Sequence, residues 1–289
     1  MGMKLDNTTI LLFLAILPVI LILLYINSQD KNKEPPRLLL KLFGGGLASC
    51  GLVLIISGIL EKINPIFSPT SSKNLFQIVF YAFISVALIE EVSKWIFVYI
   101  LGYKSKEFDE PYDGIVYAVF VSLGFAFVEN ILYVIISNSM TTALVRALCA
   151  VPSHACDAIF MGYHISLAKE FRTQKQYSKE KQQLLLSILM PTIIHGTYDF
   201  CLLSGYRIFT FIFLIFIVCM YFVSINKLNT LSESKAKVVE TEKKFCTKCG
   251  RLLNENNKCN ICDEIFEDNK FNDSNSEAKE EEPKFLIIP

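Results

Sequence analysis

The chain has 289 residues, 52% apolar and 19% charged, with a mean hydropathy of +0.41. So apolar a composition points to an integral membrane protein and away from a soluble globular domain. The formal charge of zero gives no electrostatic argument for a nucleic-acid partner, and none is predicted.

Seven hydrophobic runs are long enough to cross a hydrocarbon core of about 30 Å. In chain order they are Thr8–Ile26, Leu42–Leu60, Asn74–Leu101, Ile115–Ile136, Ala143–Ala168, Gln183–Leu203 and Tyr206–Val223. The first lacks a small-residue cleavage pattern and is followed by a basic loop, so it is expected to be an uncleaved anchor. Eleven Lys and Arg residues, from Lys31 to Lys181, lie in the loops after spans one, three and five. The opposite side has only Lys4, Lys62, Lys73 and Arg207, with Arg146 just inside the fifth span. By the positive-inside rule the amino terminus is predicted outside and the carboxyl terminus in the cytoplasm of a multi-pass cell-membrane protein. The predicted fold class is all-α: a polytopic transmembrane helical bundle of about seven spans, with a small zinc-ribbon tail.

The third run, NLFQIVFYAFISVALIEEVSKWIFVYIL, carries Glu90, Glu91 and Lys94 at its middle. Charged groups at that depth cost roughly 2.5 kcal/mol or more each on insertion scales, which makes an intramembrane ionisable residue a functional candidate. Glu129 lies in the fourth run, His154 and Asp157 in the fifth, and His195 and Asp199 in the sixth. Glu90 and Lys94, four apart, share a helical face, so the lysine is expected to offset Glu90 while Glu91 points to a neighbouring helix. His195 and Asp199 are four apart and His154 and Asp157 three apart. A carboxylate one turn from an imidazole can fix its tautomer, whether the ring binds metal or moves a proton. Glu90, His154 and His195 fall close to the bilayer midplane and Glu129 somewhat outward, so one shared cavity is expected.

Interhelical hydrogen-bond glue is the bland explanation, worth about 0.6 kcal/mol per contact, and Ser, Thr or Asn would supply it. Carboxylates and imidazoles in four different helices exceed that need. For single residues the structural readings are simpler: Arg146 is expected to snorkel, His164 to be interfacial, Asp113-Gly114 to start a helix, and Trp95 and Phe125 to pack.

A carboxylate in a low-dielectric cavity can act as general base toward water near neutral pH. Nearby imidazoles can hold a metal that acidifies that water, or stabilise an oxyanion. The same groups would also serve a proton- or ion-coupled transporter, although such transporters commonly show inverted repeats and no repeat is found. A non-catalytic receptor or scaffold docking through the tail is a third reading.

The set Glu90-Glu91-x2-Lys94, Phe125-x3-Glu129 and His195-x3-Asp199 resembles the EExxK, FxxxE and HxxxD motifs of the PrsW family of intramembrane proteases, relatives of the CAAX prenyl-protease group. Asp109-Glu110-Pro111-Tyr112-Asp113-Gly114, Glu129-Asn130-Ile131-Leu132-Tyr133, Arg146 and Pro152-Ser153-His154 agree as well, over residues 83–203. The resemblance implies an intramembrane endopeptidase making site-1-type cuts in single-span membrane proteins, typically anti-sigma factors in stress signalling. It implies catalytic roles for Glu90, Glu91, Lys94, Glu129, His195 and Asp199. Glu129, His154 and His195 are candidate ligands of a divalent metal, with glutamate-only chemistry equally open.

Of nine cysteines, Cys50, Cys149, Cys156, Cys201 and Cys219 lie within spans, where a thiol is usually a small apolar residue. Cys246-x2-Cys249-x9-Cys259-x2-Cys262 has the spacing of a tetrahedral zinc site, and the predicted cytoplasmic side is reducing, against disulfides. The expected organisation is a membrane domain over residues 1–225, a charged linker over 226–244, a zinc ribbon over 245–264 and an acidic tail over 265–289. That tail has the composition of a disordered segment, and the ribbon's partner leaves no sequence signature. Elemental analysis is expected to find about one zinc per chain in the ribbon. Deleting residues 240–289 should remove it, and metal remaining in the shortened protein would mark a membrane site.

Overall fold

Inside a bilayer no water is available to the backbone, so each N–H and C=O must be satisfied within its own segment. The computed structural model describes residues 7–68, 74–241 and 249, and the described residues contain no strand. Seven helices are long and apolar enough to cross a membrane: α1 (Asn7–Gln29), α2 (Pro36–Ile63), α3 (Leu75–Tyr103), α4 (Asp113–Ser137), α5 (Met140–Thr173), α6 (Tyr177–Leu203) and α7 (Arg207–Leu231). Seven spans were expected, and each covers its predicted run to within one residue, α3 and α7 starting one residue later than expected. Residues 1–235 form one compact unit and 236–289 a second. Of the four tail cysteines only Cys249 is among the described residues, so the zinc ribbon lies outside them.

Local chemistry sets the helix ends. Asn74 starts α3 with a capping box, its side chain accepting from the Gln77 N–H and its own N–H reaching the Gln77 side chain. Asn138, at φ 45°, closes α4 in the left-handed region, and Ser139 caps the start of α5. Two helices exceed their hydrophobic runs. α6 begins at Tyr177 rather than Gln183, because Glu180 is buried, accepting from the Tyr103 hydroxyl at 2.8 Å and from Arg172 at 2.9 Å. The helix containing α7 continues to Thr241, through most of the stretch read as a charged linker. Lys, Glu, Ala and Leu in that stretch favour helix whether or not they are apolar.

α4 lies inside the bundle, packed against α1, α2 and α5. Two glycine contacts bring backbones together there. A Cβ on Gly46 of α2 would overlap the Val121 carbonyl oxygen, and a Cβ on Gly162 of α5 would overlap the Gly114 carbonyl oxygen. The α3–α4 loop is pinned by Asp113, which accepts from the backbone N–H groups of Asp109 and Glu110 at 3.0 and 2.7 Å. Beside it Glu34, in the α1–α2 loop, accepts from the Tyr117 hydroxyl at 2.9 Å. Burial pushes the Glu34 carboxyl above the ordinary range, the Tyr117 bond opposes this, and Asp30 adds to the rise.

Gly46→Ala must push α2 off the α4 backbone and is expected to cost about 1–3 kcal/mol, as overpacking does. Gly51→Ala, which meets nothing within 4 Å, is the control and should stay within about 0.5 kcal/mol. Thermal unfolding in detergent measures both.

Candidate active site

Three helices bring four ligating side chains to one place: Glu90 and Glu91 from α3, His154 from α5 and His195 from α6. One ligand atom from each lies within 4.8 Å of all the others, and all four residues are buried. The helices depart from regular winding next to them. Glu90 and Glu91 occupy an α-helical stretch, Ile89–Phe97, between wider π-type stretches at Tyr81–Leu88 and Val98–Tyr103. Another π-type stretch, Arg146–Ala150, lies one turn before His154. Such widened turns displace side chains from the regular face and recur at functional sites. In α6, Pro191 removes an interior N–H one turn before His195, and a Cβ on Gly196 would strike the Phe83 ring of α3. Trp95, expected only to pack, also ties α3 to α6 by donating to Ser187 Oγ at 2.8 Å.

Lys94 sits at the centre with no exposed surface. Its ammonium donates to Glu91 Oε1 at 2.7 Å and to His154 Nδ1 at 3.2 Å, while Glu90 Oε2 is 3.5 Å away. The lysine was expected to offset Glu90. Its short bond is instead to Glu91, because at three residues' spacing the side chains still meet when the ammonium is drawn toward a neighbouring helix. The expectation that Glu91 faces another helix holds as well: His195 Nδ1–H donates to Glu91 Oε1 at 2.9 Å. The Phe125 ring lies 4.3 Å from the ammonium, a cation–π contact beyond simple packing.

His154 is held differently from the sequence expectation. Its Nε2 is 2.9 Å from Glu129 Oε2, across from α4, whereas both oxygens of Asp157 lack a hydrogen-bond partner among the described residues. Asp157 is three residues along the helix and fully buried, without a hydrogen bond to His154 but within electrostatic reach of Glu91, His195 and Lys94. With Nδ1 accepting from Lys94, Nε2 carries the proton given to Glu129. Arg146, expected to snorkel, is part of this chain too: Nη2 donates to Glu129 Oε2 at 2.8 Å and Nε to Asn130 Oδ1 at 2.8 Å. Asn130 Nδ2 in turn donates to the Ala15 carbonyl of α1 at 2.8 Å. Sequence reasoning missed Arg146 and Asn130 as site residues. The available signal was the tight α4–α5 turn, which sets Glu129 and Arg146 at similar distances from its two ends. His164 lies apart, with Nδ1 at 2.8 Å from Gln183 Oε1.

A cavity of about 440 Å³ opens beside the cluster, lined by Glu90, Glu129, Arg146, His154, His195 and Asp199 among others. The cavity is large enough for water and a short extended peptide. One side of it is crowded with carboxylates. His195 donates from Nδ1–H to Glu91, and its Nε2 faces Glu90 Oε2 at 3.9 Å and Asp199 Oδ2 at 3.5 Å. Glu91 Oε2 is buried with no partner among the described residues. A cation satisfies such a concentration of acceptors, so the donor set fits a divalent metal. The convergent set differs from the ligands expected from sequence: Glu90 and Glu91 are in it, and Glu129 stands outside, bonded to Arg146 and His154.

A cavity lined by carboxylates and imidazoles, inside a bundle of membrane-spanning helices, fits the class of multi-pass membrane hydrolases. Comparison with known proteins gives the family. A profile described as "PrsW family intramembrane metalloprotease" matches residues 34–225. Protease PrsW of Oceanobacillus iheyensis is 38% identical over 220 residues, 76% of this chain and 95% of that protein. Protease PrsW of Clostridioides difficile is 32% identical over 241 residues, 82% and 95% of the two chains. Protease PrsW of Bacillus subtilis is 36% identical over 206 residues, 70% and 88%. No solved structure matches. The chain belongs to the PrsW family of intramembrane metalloproteases.

Removing one partner of a buried ion pair typically costs about 3–5 kcal/mol, because the other charge is left uncompensated. Lys94→Met strands two buried carboxylates and is expected to fall in that range by thermal unfolding. Glu90→Gln, at the longer contact, should cost clearly less.

Proposed function

We propose that this membrane protease cuts single-span membrane proteins, of the anti-sigma-factor kind, at a site formed by Glu90, Glu91, His154 and His195. The observation that carries this reading is their convergence from three helices beside a cavity that admits water. Glu90 lines the cavity and is the group best placed to take a proton from a water there, the task of a general base. Glu91 lies deeper and orients His195 through the Nδ1–H bond. His195 and Asp199 face the cavity, where a developing charge or a leaving amine would be met. Lys94 keeps two adjacent acids tolerable in a buried site.

With Glu90 kept as the base, Glu91, His154 and His195 would hold the divalent metal that the family description names. When bound, it polarises a carbonyl and acidifies a coordinated water. Lys94 already supplies one positive charge to this group, so a metal would compete with it for Glu91 and would have to displace it from the single lone pair of His154 Nδ1.

The cavity includes Tyr133, Arg146 and Leu203, near the α4–α5 and α6–α7 connections. With the amino terminus outside, as the basic loops favour, that end faces outward and the cut is of the site-1 type. The zinc ribbon, on the cytoplasmic side in this orientation, is a docking or structural module separate from the chemistry.

The test is co-expression with candidate single-span anti-sigma factors. The wild type is expected to yield a fragment, and Glu90→Gln, Glu91→Gln and His195→Ala each to lower its formation at least about 100-fold, at equal expression, as loss of an acid–base group does. Full cleavage by all three variants would overturn the assignment.

A further inference from the structure

Arg146 has no place in the chemistry above, yet it is joined to it by unbroken hydrogen bonds. We infer that Arg146 is a positioning residue that holds Glu129 in place and thereby fixes the ring of His154 through its Nε2–H bond, with Asn130 anchoring the assembly to α1. The guanidinium is a planar fork of donors, and here it spans two acceptors on one helix, Glu129 Oε2 through Nη2 and Asn130 Oδ1 through Nε, each at 2.8 Å. Its plane also lies over the Tyr133 ring, 4.1 Å from the centroid, so the side chain is held from a third direction.

Those constraints pass inward. Glu129 Oε2, fixed by the guanidinium, accepts from His154 Nε2 at 2.9 Å. A proton on Nε2 leaves Nδ1 as an acceptor, pointed at the Lys94 ammonium at 3.2 Å. The His154 backbone is secured separately, its carbonyl accepting from Ser122 Oγ at 2.8 Å. Backbone and ring are thus held by two neighbouring turns of α4. The same tautomer serves metal binding, since Nδ1 is the nitrogen turned toward the acids. An outer carboxylate that orients a ligating imidazole is a recurrent device, and loss of such a partner typically costs 10–100-fold in activity or metal affinity. Arg146 lies one step further out. A lysine cannot replace it, because a single ammonium lacks the fork that bridges Glu129 and Asn130.

This inference rests on the proposed site only for its consequence in catalysis; the ring geometry can be read without it. The chain has three histidines, so selective ring-15N labelling of the full-length protein gives three sets of resonances. His164→Asn assigns one set and His195→Asn another. In the wild type, His154 is expected to show Nε2 protonated and Nδ1 not. Arg146→Gln and Arg146→Lys should both move the His154 Nε2–H resonances as its bond to Glu129 loosens, while Lys94 keeps Nδ1 unprotonated. His164, bonded to Gln183 far from Arg146, should remain unchanged and so reports that the fold is intact. Cleavage in both variants should fall about 10–100-fold. An unchanged His154 signature in folded Arg146→Gln would overturn the inference, as would full restoration of signature and cleavage by lysine. Wild-type protein that shows the expected tautomer but cleaves nothing would count against the proposed function and leave the positioning role supported.

Discussion

A fully buried lysine among carboxylates is the constraint on which the rest of the site depends. Lys94 cannot be left in a hydrocarbon-filled bundle without partners, and Glu91 alone does not satisfy three ammonium donors. The acceptors it needs lie on other helices or one turn away, which draws α5 toward α3. His195 on α6 is drawn to the same carboxylate from the other side. Because Glu91 Oε1 receives both the ammonium and the His195 ring, a single oxygen links α3 and α6, while the lysine links α3 and α5. Packing elsewhere has to accommodate this geometry. The glycines at 46, 114, 124 and 162 let α2, α4 and α5 approach closely enough that α4 can present Glu129 and Phe125 to the cluster.

Much of the fold was legible in the sequence because a bilayer restricts what a segment can be. A run of about twenty apolar residues has one stable form there, so seven runs translate into seven helices. The runs gave less reliable ends. α6 starts six residues early because Glu180 finds buried partners, information that belongs to Tyr103 and Arg172 rather than to hydropathy. Charged residues after Val223 continue a helix that a hydrophobicity argument stops.

Within the site, residue type was informative and pairing was so only in part: Glu90–Lys94 and His195–Asp199 meet at 3.5 Å, whereas His154–Asp157 does not pair. The depth of Glu90, Glu91, His154 and His195 along their spans was enough to suggest one cavity. Helical spacing then nominated neighbours one turn apart, and for Asp157 this failed: it shares a helix with His154 and lies near Glu91 and Lys94, but the imidazole pairs with Glu129 on α4. Spacing rules assume regular winding, and π-type stretches flank the functional residues of α3 and precede those of α5. Arg146 was underrated for a related reason. A cation near a span end has an easy escape to the interface, and only the fold reveals that it turns inward to Glu129.

The distribution of the site over three helices also has a consequence for biogenesis. As the chain enters the membrane, Glu91 and Lys94 arrive together in α3 and can neutralise one another within their own helix, which eases insertion of an otherwise costly segment. They remain without imidazoles until α5 and α6 follow, with His195 arriving some hundred residues later. No partly inserted intermediate has a complete set of groups. On the proposed site, a hydrolase assembled in this order completes its catalytic groups only after its sixth span is in place.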